Sequence, residues 1–241
     1  MEVTMIHFYP DLMNLYGSYA NVSALRRYLE RLGCTVKMET VIPCGSADFT
    51  HGDFFYMGAG TERTAKAVME DFARFREDLK AAAADGAAML FAGTAMELLG
   101  KSVRDADGTE YSAAGLAEFT TERRKTRIVG DVYGHTELFP EAVVGFMNKC
   151  GVITGVETPL LSKVNLGHGN ELPGGPEGFH WKNVFASELT GPLLIKNPRM
   201  LETVAAAVYA RRGQPLPVDR PPDPWAETGY TVTKEQLRKR I

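Results

Sequence analysis

The fold of this chain is decided by Ala87-Ala-Met-Leu-Phe-Ala-Gly-Thr-Ala-Met-Glu-Leu-Leu-Gly100. Residues 87–91 are apolar without alternation, which is typical of a strand buried on both faces of a parallel sheet. Gly93 follows almost at once, and a helical stretch is predicted over residues 95–99. A buried strand that passes through a small residue into a helix has the layout of a nucleophile elbow. The apex position is Gly93, which has no side chain to serve as a nucleophile.

Strand-like and helix-like segments alternate on both sides of this stretch in the first half of the chain. Apolar residues at helical spacing, among them Val22, Leu25 and Leu29, predict a helix between the first two strands. A second, long helix is predicted over residues 64–84. Further strands are predicted at residues 3–8, 34–41 and 54–57. This order predicts an α/β fold with a doubly wound, mostly parallel sheet flanked by helices.

The second half of the chain has a different pattern. An Asp-Ala-Asp-Gly turn predicts a hairpin within residues 101–111, and apolar spacing predicts a helix over residues 200–211. Further short strands are predicted at residues 120–129, 142–146, 152–156 and 183–187. Because five prolines crowd residues 215–224, we expect one domain over residues 1–212 and a Pro-rich C-terminal tail over 213–241. The tail is expected to be a solvated terminus with one short basic helix at its end.

Composition excludes several classes of protein. The 241 residues include 27 Lys and Arg against 30 Asp and Glu, and the net charge of −3 provides no basic footprint for nucleic acid. No apolar run approaches the roughly 20 residues of a membrane span, and we find no secretory signal, so we expect a cytoplasmic protein. Three cysteines lie far apart without a metal-binding spacing, which predicts reduced thiols and neither a metal site nor a cofactor.

Two loops join the elbow at the predicted strand ends, where open parallel sheets bind their ligands. The first is Tyr9-Pro-Asp-Leu-Met-Asn-Leu-Tyr-Gly17. For its Asp11 and Asn14 alone, a polar loop that leads into a helix is the simpler interpretation. The second is Met57-Gly-Ala-Gly-Thr-Glu-Arg63, whose two glycines let the backbone turn and present N–H groups to an oxyanion. A plain tight turn explains this second loop equally well.

Further segments stand in the same order as the motifs of a known family. They are Val144-Gly-Phe-Met-Asn148, which resembles Gly-Phe-Glu-Asn-His, and Gly167-His-Gly-Asn170, Gly178-Phe-His-Trp-Lys-Asn-Val184 and Gly191-Pro-Leu-Leu-Ile-Lys-Asn-Pro198. With the 9–17 loop, which is the most specific motif, they resemble class I glutamine amidotransferases of the cobyric-acid-synthase-like (CobB/CobQ-like) branch. Within that branch they are most similar to the GatD-type glutaminase subunits of lipid II isoglutaminyl synthases. The resemblance covers residues 1–212 and implies a flavodoxin-like fold.

The catalytic positions of that family are replaced in this chain. The family elbow reads Cys-Gly-Gly-Tyr-Gln-Leu-Leu-Gly, so its cysteine corresponds to Gly93 and its glutamine to Glu97. The catalytic histidine lies in Tyr-Leu-His-Gly-Pro-Leu-Leu, where this chain has Thr190. The family's Gly-Gly-Gly-Gln-Asp loop is Gly58-Ala-Gly-Thr-Glu62 here. Glutamine hydrolysis needs a thiolate and an imidazole, so the resemblance implies an intact scaffold whose glutaminase activity is lost.

We therefore expect no intact catalytic residue but a retained ligand pocket. Its expected residues are Gly58, Ala59, Gly60, Thr94, Glu97 and Arg127. The family places an arginine at its glutamine pocket in a segment similar to that around Arg127, although a solvated, charged strand edge explains this residue as well. Thr94 is the candidate for a relocated nucleophile, and helix capping or elbow packing is its simpler role. The remaining candidates are expected at core or loop positions: Cys34, Cys44, Cys150, Ser187, His168 and His180.

The resemblance also implies a biochemical setting. It implies a GatD-like subunit with a Mur-ligase-like ATP-dependent partner, which amidates the stem-peptide glutamate of lipid II. That ligase would use free ammonia, while this chain stabilises it or gates its site. Glutamine or a related small amide is the ligand expected in the pocket. Two alternatives stay open: an active amidotransferase with a relocated nucleophile, and a non-catalytic subunit that binds an amide or amino acid or acts as a scaffold.

Overall fold

The computed structural model describes residues 1–241 and contains six α-helices and twelve strands. The helices are α1 (Tyr19–Arg31), α2 (Glu62–Ala73), α3 (Arg76–Ala84), α4 (Leu193–Lys196), α5 (Pro198–Arg211) and α6 (Pro224–Arg238). The strands are β1 (Glu2–Phe8), β2 (Thr35–Val41), β3 (Phe54–Met57), β4 (Ala88–Ala92), β5 (Ser102–Arg104), β6 (Glu110–Ser112), β7 (Thr120–His135), β8 (Val143–Thr154), β9 (Lys163–Leu166), β10 (Phe179–Trp181), β11 (Val184–Ser187) and β12 (Leu189–Thr190). None of the helices combines the length and the apolar character needed to cross a lipid bilayer.

Six strands form the main sheet in the order β10-β11-β4-β3-β1-β2. All neighbours pair in parallel except β10, which is antiparallel to β11 at one edge. Side chains of β3 alternate between two cores, with Phe55 and Met57 in the core that holds α2 and α3, and Phe54 and Tyr56 in the core that holds α1 and α5. The predicted doubly wound α/β fold is confirmed, because helices cover both faces of a mostly parallel sheet.

A second six-stranded sheet follows the order β12-β8-β7-β5-β6, with β9 against β7. The predicted Asp-Ala-Asp-Gly hairpin is present as β5 and β6. The strands predicted at 142–146 and 152–156 belong to one strand, β8, and β7 is longer than the strand predicted at 120–129. Two buried charged residues, Arg123 and Lys149, interrupt the apolar pattern of this β7–β8 hairpin. Periodicity therefore does not reveal its true length.

Two predicted helices differ from those observed. The helix predicted over residues 64–84 is divided into α2 and α3. Phe75 lies at the break, but it and Leu79 are both buried, so the apolar spacing continues across the break and conceals it. The stretch predicted as a helix over residues 95–99 is part of a fully buried 3₁₀ helix, Gly93–Leu99.

Residues 213–241 include a packed helix rather than a solvated end. Asp223 caps α6 by accepting a hydrogen bond from an amide of its first turn, at 3.1 Å. Tyr230 and Leu237 of α6 are buried in a small cluster with side chains of the β7–β8 hairpin. The expectation of a solvated terminus is wrong, because two buried side chains two turns apart are too sparse to produce a periodic signal. The division of the chain at residue 212 stays a prediction.

Candidate functional site

The chain leaves β4 at Ala92 and turns sharply at Gly93. Gly93 has a φ of 62°, in the left-handed region that side chains disfavour. A β-carbon placed on Gly93 would lie 2.6 Å from Cβ of Ala59 and 3.3 Å from Cγ2 of Thr190. The apex of the elbow and the residue at the expected position of the base therefore face each other at the end of the sheet.

Gly93 and Thr190 line a cavity of about 150 Å³, the elbow cavity. Neither a cysteine nor a histidine is among its thirteen lining residues, which are Leu15, Tyr16, Ala59, Gly60, Thr61, Glu62, Gly93, Thr94, Arg127, Asn148, Lys149, Glu188 and Thr190. Four of the six predicted pocket residues are in this set, whereas Gly58 and Glu97 are not. A larger groove of about 490 Å³ lies between α1 and α6 and shares no lining residue with the elbow cavity.

The 9–17 loop reaches the elbow cavity through Tyr16. Tyr16 has a φ of 60°, a strained conformation for a bulky residue, and its hydroxyl accepts a hydrogen bond from Nδ2 of Asn148 at 2.7 Å. Asn14 accepts a hydrogen bond from the first amide of α1 at 2.8 Å, and Asp11 is exposed. These contacts support the simpler interpretation of Asn14 and Asp11, a polar loop that leads into a helix.

The glycines of the 57–63 loop serve close packing. Neither Gly58 nor Gly60 has a positive φ, so no left-handed turn requires them. A β-carbon on Gly58 would lie 2.5 Å from the carbonyl oxygen of Met13, and one on Gly60 would lie 2.5 Å from Met13 Sδ. The two loops that the sequence singled out therefore pack directly against each other, and glycine is needed because it leaves the space.

Backbone amides of the 57–63 loop are engaged within the protein. The amide of Ala59 donates to Oγ of Ser18 at 3.0 Å, and the amide of Gly60 donates to Oγ1 of Thr94 at 2.9 Å. The Thr94 hydroxyl donates in turn to the carbonyl oxygen of Gly60 at 3.0 Å. Thr94 thus ties the elbow to the loop, and two amides expected to face an oxyanion are already satisfied.

Arg127 lies at the mouth of the elbow cavity because the β7–β8 hairpin has a bulge there. Residues 124–127 of β7 stand opposite Cys150 alone. The Arg127 guanidinium donates to Oδ1 of Asn148 at 2.7 Å, to its carbonyl oxygen at 3.0 Å, and to Oε1 of Glu62 at 2.7 Å. Burial is the largest single effect and raises the pKa of the Glu62 carboxyl, but the hydrogen bonds to this carboxyl and the charge of Arg127 together outweigh burial and hold that pKa below its ordinary value.

Glu97 points away from the cavity, contrary to its expected place in the pocket. Its Oε2 accepts from Nε of Arg123 at 2.8 Å, and Arg123 also donates to Asp105 at 2.9 Å. Burial raises the pKa of the Glu97 carboxyl to about 7, against the opposing effect of Arg123. Glu97 therefore fastens the 3₁₀ helix to the second sheet, and it does not line the elbow cavity.

The cavity contains a buried ion pair that sequence reasoning missed. Lys149 and Glu188 have side chains only 2% and 1% exposed, and the Lys149 ammonium donates to Oε2 of Glu188. Burial raises the pKa of the Glu188 carboxyl to about 7, and the Lys149 charge opposes this rise. In the family motifs quoted above, these positions correspond to the His of Gly-Phe-Glu-Asn-His and the Tyr of Tyr-Leu-His. The sequence signal that could have revealed the pair is that two family positions carry side chains of opposite charge in this chain.

No displaced cysteine–histidine pair lines the elbow cavity. Cys150 lies behind Glu62, and burial raises the pKa of its thiol to about 12, which keeps it protonated and unreactive. His180 stacks on Phe185 in the main sheet. The other candidates also lie outside the cavity lining: Cys34, Cys44, Ser187 and His168.

The main sheet, the elbow at its carboxyl edge and the adjoining cavity define a domain of the class I glutamine amidotransferase type. The CobB/CobQ-like glutamine amidotransferase domain matches residues 4–198 of this sequence. The chain belongs to that family, and the predicted resemblance is confirmed.

Two relatives agree with this assignment. The chain is similar to the lipid II isoglutaminyl synthase (glutamine-hydrolyzing) subunit GatD of Staphylococcus aureus, with 30% identity over 215 residues, 89% of this chain and 88% of the relative. It is 28% identical over 218 residues to the same subunit of Streptococcus pneumoniae, with 89% and 84% covered.

Two solved structures share the fold at low identity. A glutamine amidotransferase from Thermotoga maritima has a TM-score of 0.51 and 14% identity, with 98% of this chain and 95% of that chain covered. The glutaminase domain of Trypanosoma brucei CTPS with bound acivicin has a TM-score of 0.51 and 10% identity, with 92% and 98% covered.

Proposed function

We propose that this chain is the glutaminase-type subunit of a two-subunit amidotransferase and that it no longer hydrolyses glutamine. One observation carries the proposal: Gly93 and Thr190 face the same cavity, and no cysteine or histidine lines it. Without a thiolate, no thioester forms at the glutamine carboxamide. Without an imidazole at position 190, the group that the family uses to transfer protons between the nucleophile and the leaving ammonia is missing. The remaining scaffold supports only a small residual rate.

We infer the partner from the GatD relatives. The chain would assemble with a Mur-ligase-like ATP-dependent subunit that amidates the stem-peptide glutamate of lipid II in the cytoplasm. In this proposal the ligase uses free ammonia, and this chain stabilises the ligase or gates its site. The packed loops around the elbow support a structural role, because they make close contacts and hold Tyr16 in a strained conformation although the family's catalytic side chains are absent.

The alternative of a relocated nucleophile is less well supported. Thr94 is beside the apex, but its hydroxyl both accepts from and donates to Gly60. A nucleophilic hydroxyl needs a base within hydrogen-bond reach, and Thr94 has no such partner. A non-catalytic subunit that binds a small amide or amino acid is compatible with the cavity and is tested by the same experiment.

The complex of this chain with its native ligase tests the proposal. We expect amidated lipid II with ammonium as the nitrogen source, and no release of glutamate from glutamine by the chain or the complex. Steady glutamine hydrolysis by either would refute the loss of activity. Glutamine binding without hydrolysis would support the amide-binding alternative.

A matched gain-of-function variant is the control. It combines Gly93→Cys and Thr190→His with Ala59→Gly, because a β-carbon on residue 93 collides with the Ala59 methyl. A glutamine-mimicking electrophile should label this triple variant and leave the natural chain unlabelled. Labelling of the natural chain, at Thr94 or elsewhere, would favour the relocated nucleophile.

A further inference from the structure

Helix α6 has an exposed apolar side that does not pack on the rest of the protein. Its buried residues, Tyr230 and Leu237, form a cluster with side chains of the β7–β8 hairpin. Trp225 and Val232 are about two turns apart on the helix, and they are 87% and 54% exposed. At about 3.6 residues per turn, Trp225 lies about 140° around the helix from Tyr230. The helix therefore has two apolar sides, and only one of them is covered.

The exposed side of α6 continues onto neighbouring residues. Val218, in the segment before α6, is 89% exposed, and it and Trp225 are the most exposed large apolar residues of the chain. Trp225 and Ile195 line the groove of about 490 Å³ between α1 and α6, and Val218 lines an adjoining cavity of about 290 Å³ that shares lining residues with the groove. We call Ile195, Val218, Trp225 and Val232 the α6 surface. Single exposed apolar residues are normal, but a group of them on one surface indicates a contact site.

Cations without carboxylate partners lie beside the α6 surface. Arg27 and Lys196 line the groove, and Lys239 follows Trp225 by about four turns on the same side of α6. None of these three forms an ion pair, whereas every carboxylate that lines the two cavities does. Those pairs are Arg31 with Asp223, Arg199 with Glu202 and Glu227, and Arg220 with Glu202. Glu235 is the only unpaired carboxylate of α6, so the net unpaired charge is positive.

We propose that the α6 surface binds an anionic lipid bilayer, with α6 lying along the membrane plane. Tryptophan is favoured at the level of the lipid headgroups, because its ring is apolar and its N–H is polar. The neighbouring cations would meet lipid phosphates, and each contributes about fivefold to the affinity, or about 1 kcal/mol. With 15 residues, α6 is too short to span a bilayer, which needs about 20. The inference goes beyond the proposed function and does not depend on whether the chain hydrolyses glutamine.

The projection of Trp225 and Val218 favours a bilayer over a protein partner. A protein interface holds an aromatic anchor in a matching pocket of the partner, and its contacts need complementary shape. A fluid lipid surface accepts projecting apolar side chains without such a pocket, and it offers repeated negative charge to all three unpaired cations. The α6 surface presents both features, because its two most exposed side chains stand clear of the protein.

Intrinsic fluorescence of the full-length chain can locate the contact, because Trp181 and Trp225 are its two tryptophans. Trp181→Phe leaves Trp225 as the only reporter. Trp225→Phe leaves Trp181, which is 42% exposed on β10 at an edge of the main sheet. Vesicles of equal parts phosphatidylglycerol and phosphatidylcholine should shift the emission of Trp225 to shorter wavelength and leave that of Trp181 unchanged. Vesicles of phosphatidylcholine alone should shift neither.

Charge-reversal variants test the electrostatic part by vesicle flotation. Arg27→Glu combined with Lys239→Glu should weaken binding to the anionic vesicles at least tenfold, because two cations near the surface are lost. Arg124→Glu combined with Lys125→Glu is the matched control, since it changes the net charge equally at two exposed cations on β7. The control should bind within about threefold of the natural chain. All four side chains are exposed, so both variants should keep the natural melting temperature.

Four results would each overturn the inference. They are no shift of Trp225 on anionic vesicles, equal shifts on the two kinds of vesicle, equal weakening by the two charge reversals, and a shift of Trp225 that requires the native ligase. The last result would assign the α6 surface to a protein partner. The vesicle experiments contain neither glutamine nor ligase, so their failure would leave the proposed function standing. Glutamine hydrolysis by the complex would refute the proposed function and leave the lipid contact standing.

Discussion

Replacing Gly93 by alanine adds only one methyl group, but we expect it to destabilise the chain strongly. The left-handed φ of 62° is readily accessible only to glycine, and the new methyl would lie 2.6 Å from Cβ of Ala59. The backbone contributes about 1–2 kcal/mol and the collision about 1–3 kcal/mol. The free energy of unfolding should fall by about 2–5 kcal/mol, which lowers the melting temperature by roughly 4–20 °C for a chain of this size.

A double variant separates the two contributions. Ala59→Gly removes the methyl that the new side chain meets, so Gly93→Ala combined with Ala59→Gly should recover the steric part and retain the backbone part. The expected coupling is about 1–3 kcal/mol in a double-mutant cycle measured by urea denaturation. Ala59→Gly alone should cost about 1–2 kcal/mol through the lost methyl and the freer backbone.

The result that refutes this reasoning is specific. An unchanged or raised melting temperature of Gly93→Ala would mean that residue 93 is not held in the left-handed conformation at an elbow apex. Additive effects of the two substitutions would mean that Ala59 and residue 93 do not touch. Either result would remove the geometric basis for placing the family's nucleophile at this position.

Three further predictions concern charges and the C-terminal helix. The Glu97 carboxyl has a raised pKa of about 7, so the folded chain binds its proton more tightly than the unfolded chain and its contribution to stability is lost as pH rises from about 4.5 to 7. Relative to the natural chain, Glu97→Gln should therefore gain up to about 1.4 kcal/mol per pH unit across that window in urea denaturation, whereas a pH-independent difference would contradict the raised pKa. Lys149→Met leaves Glu188 buried without its partner and should lower the free energy of unfolding by about 3–5 kcal/mol. Adding Glu188→Gln should recover part of this loss. Equal stability of the single and double variants would argue against the ion pair. Asp223→Ala removes the cap of α6 and should cost about 0.5–2 kcal/mol by thermal unfolding and speed proteolysis at the C-terminal end; unchanged proteolysis would show that the cap does not hold α6.

Elements whose side chains are all buried in the apolar core were predictable from the sequence. The run at 87–91 predicts the buried strand β4, because a strand covered on both faces needs apolar side chains at every position. The 3₁₀ geometry after Gly93 was missed because that segment is buried throughout, and burial does not distinguish a 3₁₀ from an α-helix. The break between α2 and α3 was missed because Phe75 is buried at the break, so the apolar spacing continues across it.

The cavity itself was only partly predictable. Gly93 and Thr190 were identified by their positions in motifs, but the roles of Lys149 and Glu188 depend on a contact between residues 39 apart in the chain. Glu97 was wrongly predicted to line the pocket, because its partner Arg123 lies on β7, 26 residues further along the chain.

By itself, the sequence determined the main sheet, the position of the elbow and the absence of a side chain at its apex. Local apolar patterns indicate whether a segment is buried, and the order of the motifs indicates the family to which the chain belongs. Only the tertiary structure decided which groups surround the elbow and whether their donors and acceptors are already used. The physical reason is that a buried charge is stabilised by partners distant in sequence, and neither periodicity nor spacing records which distant elements meet.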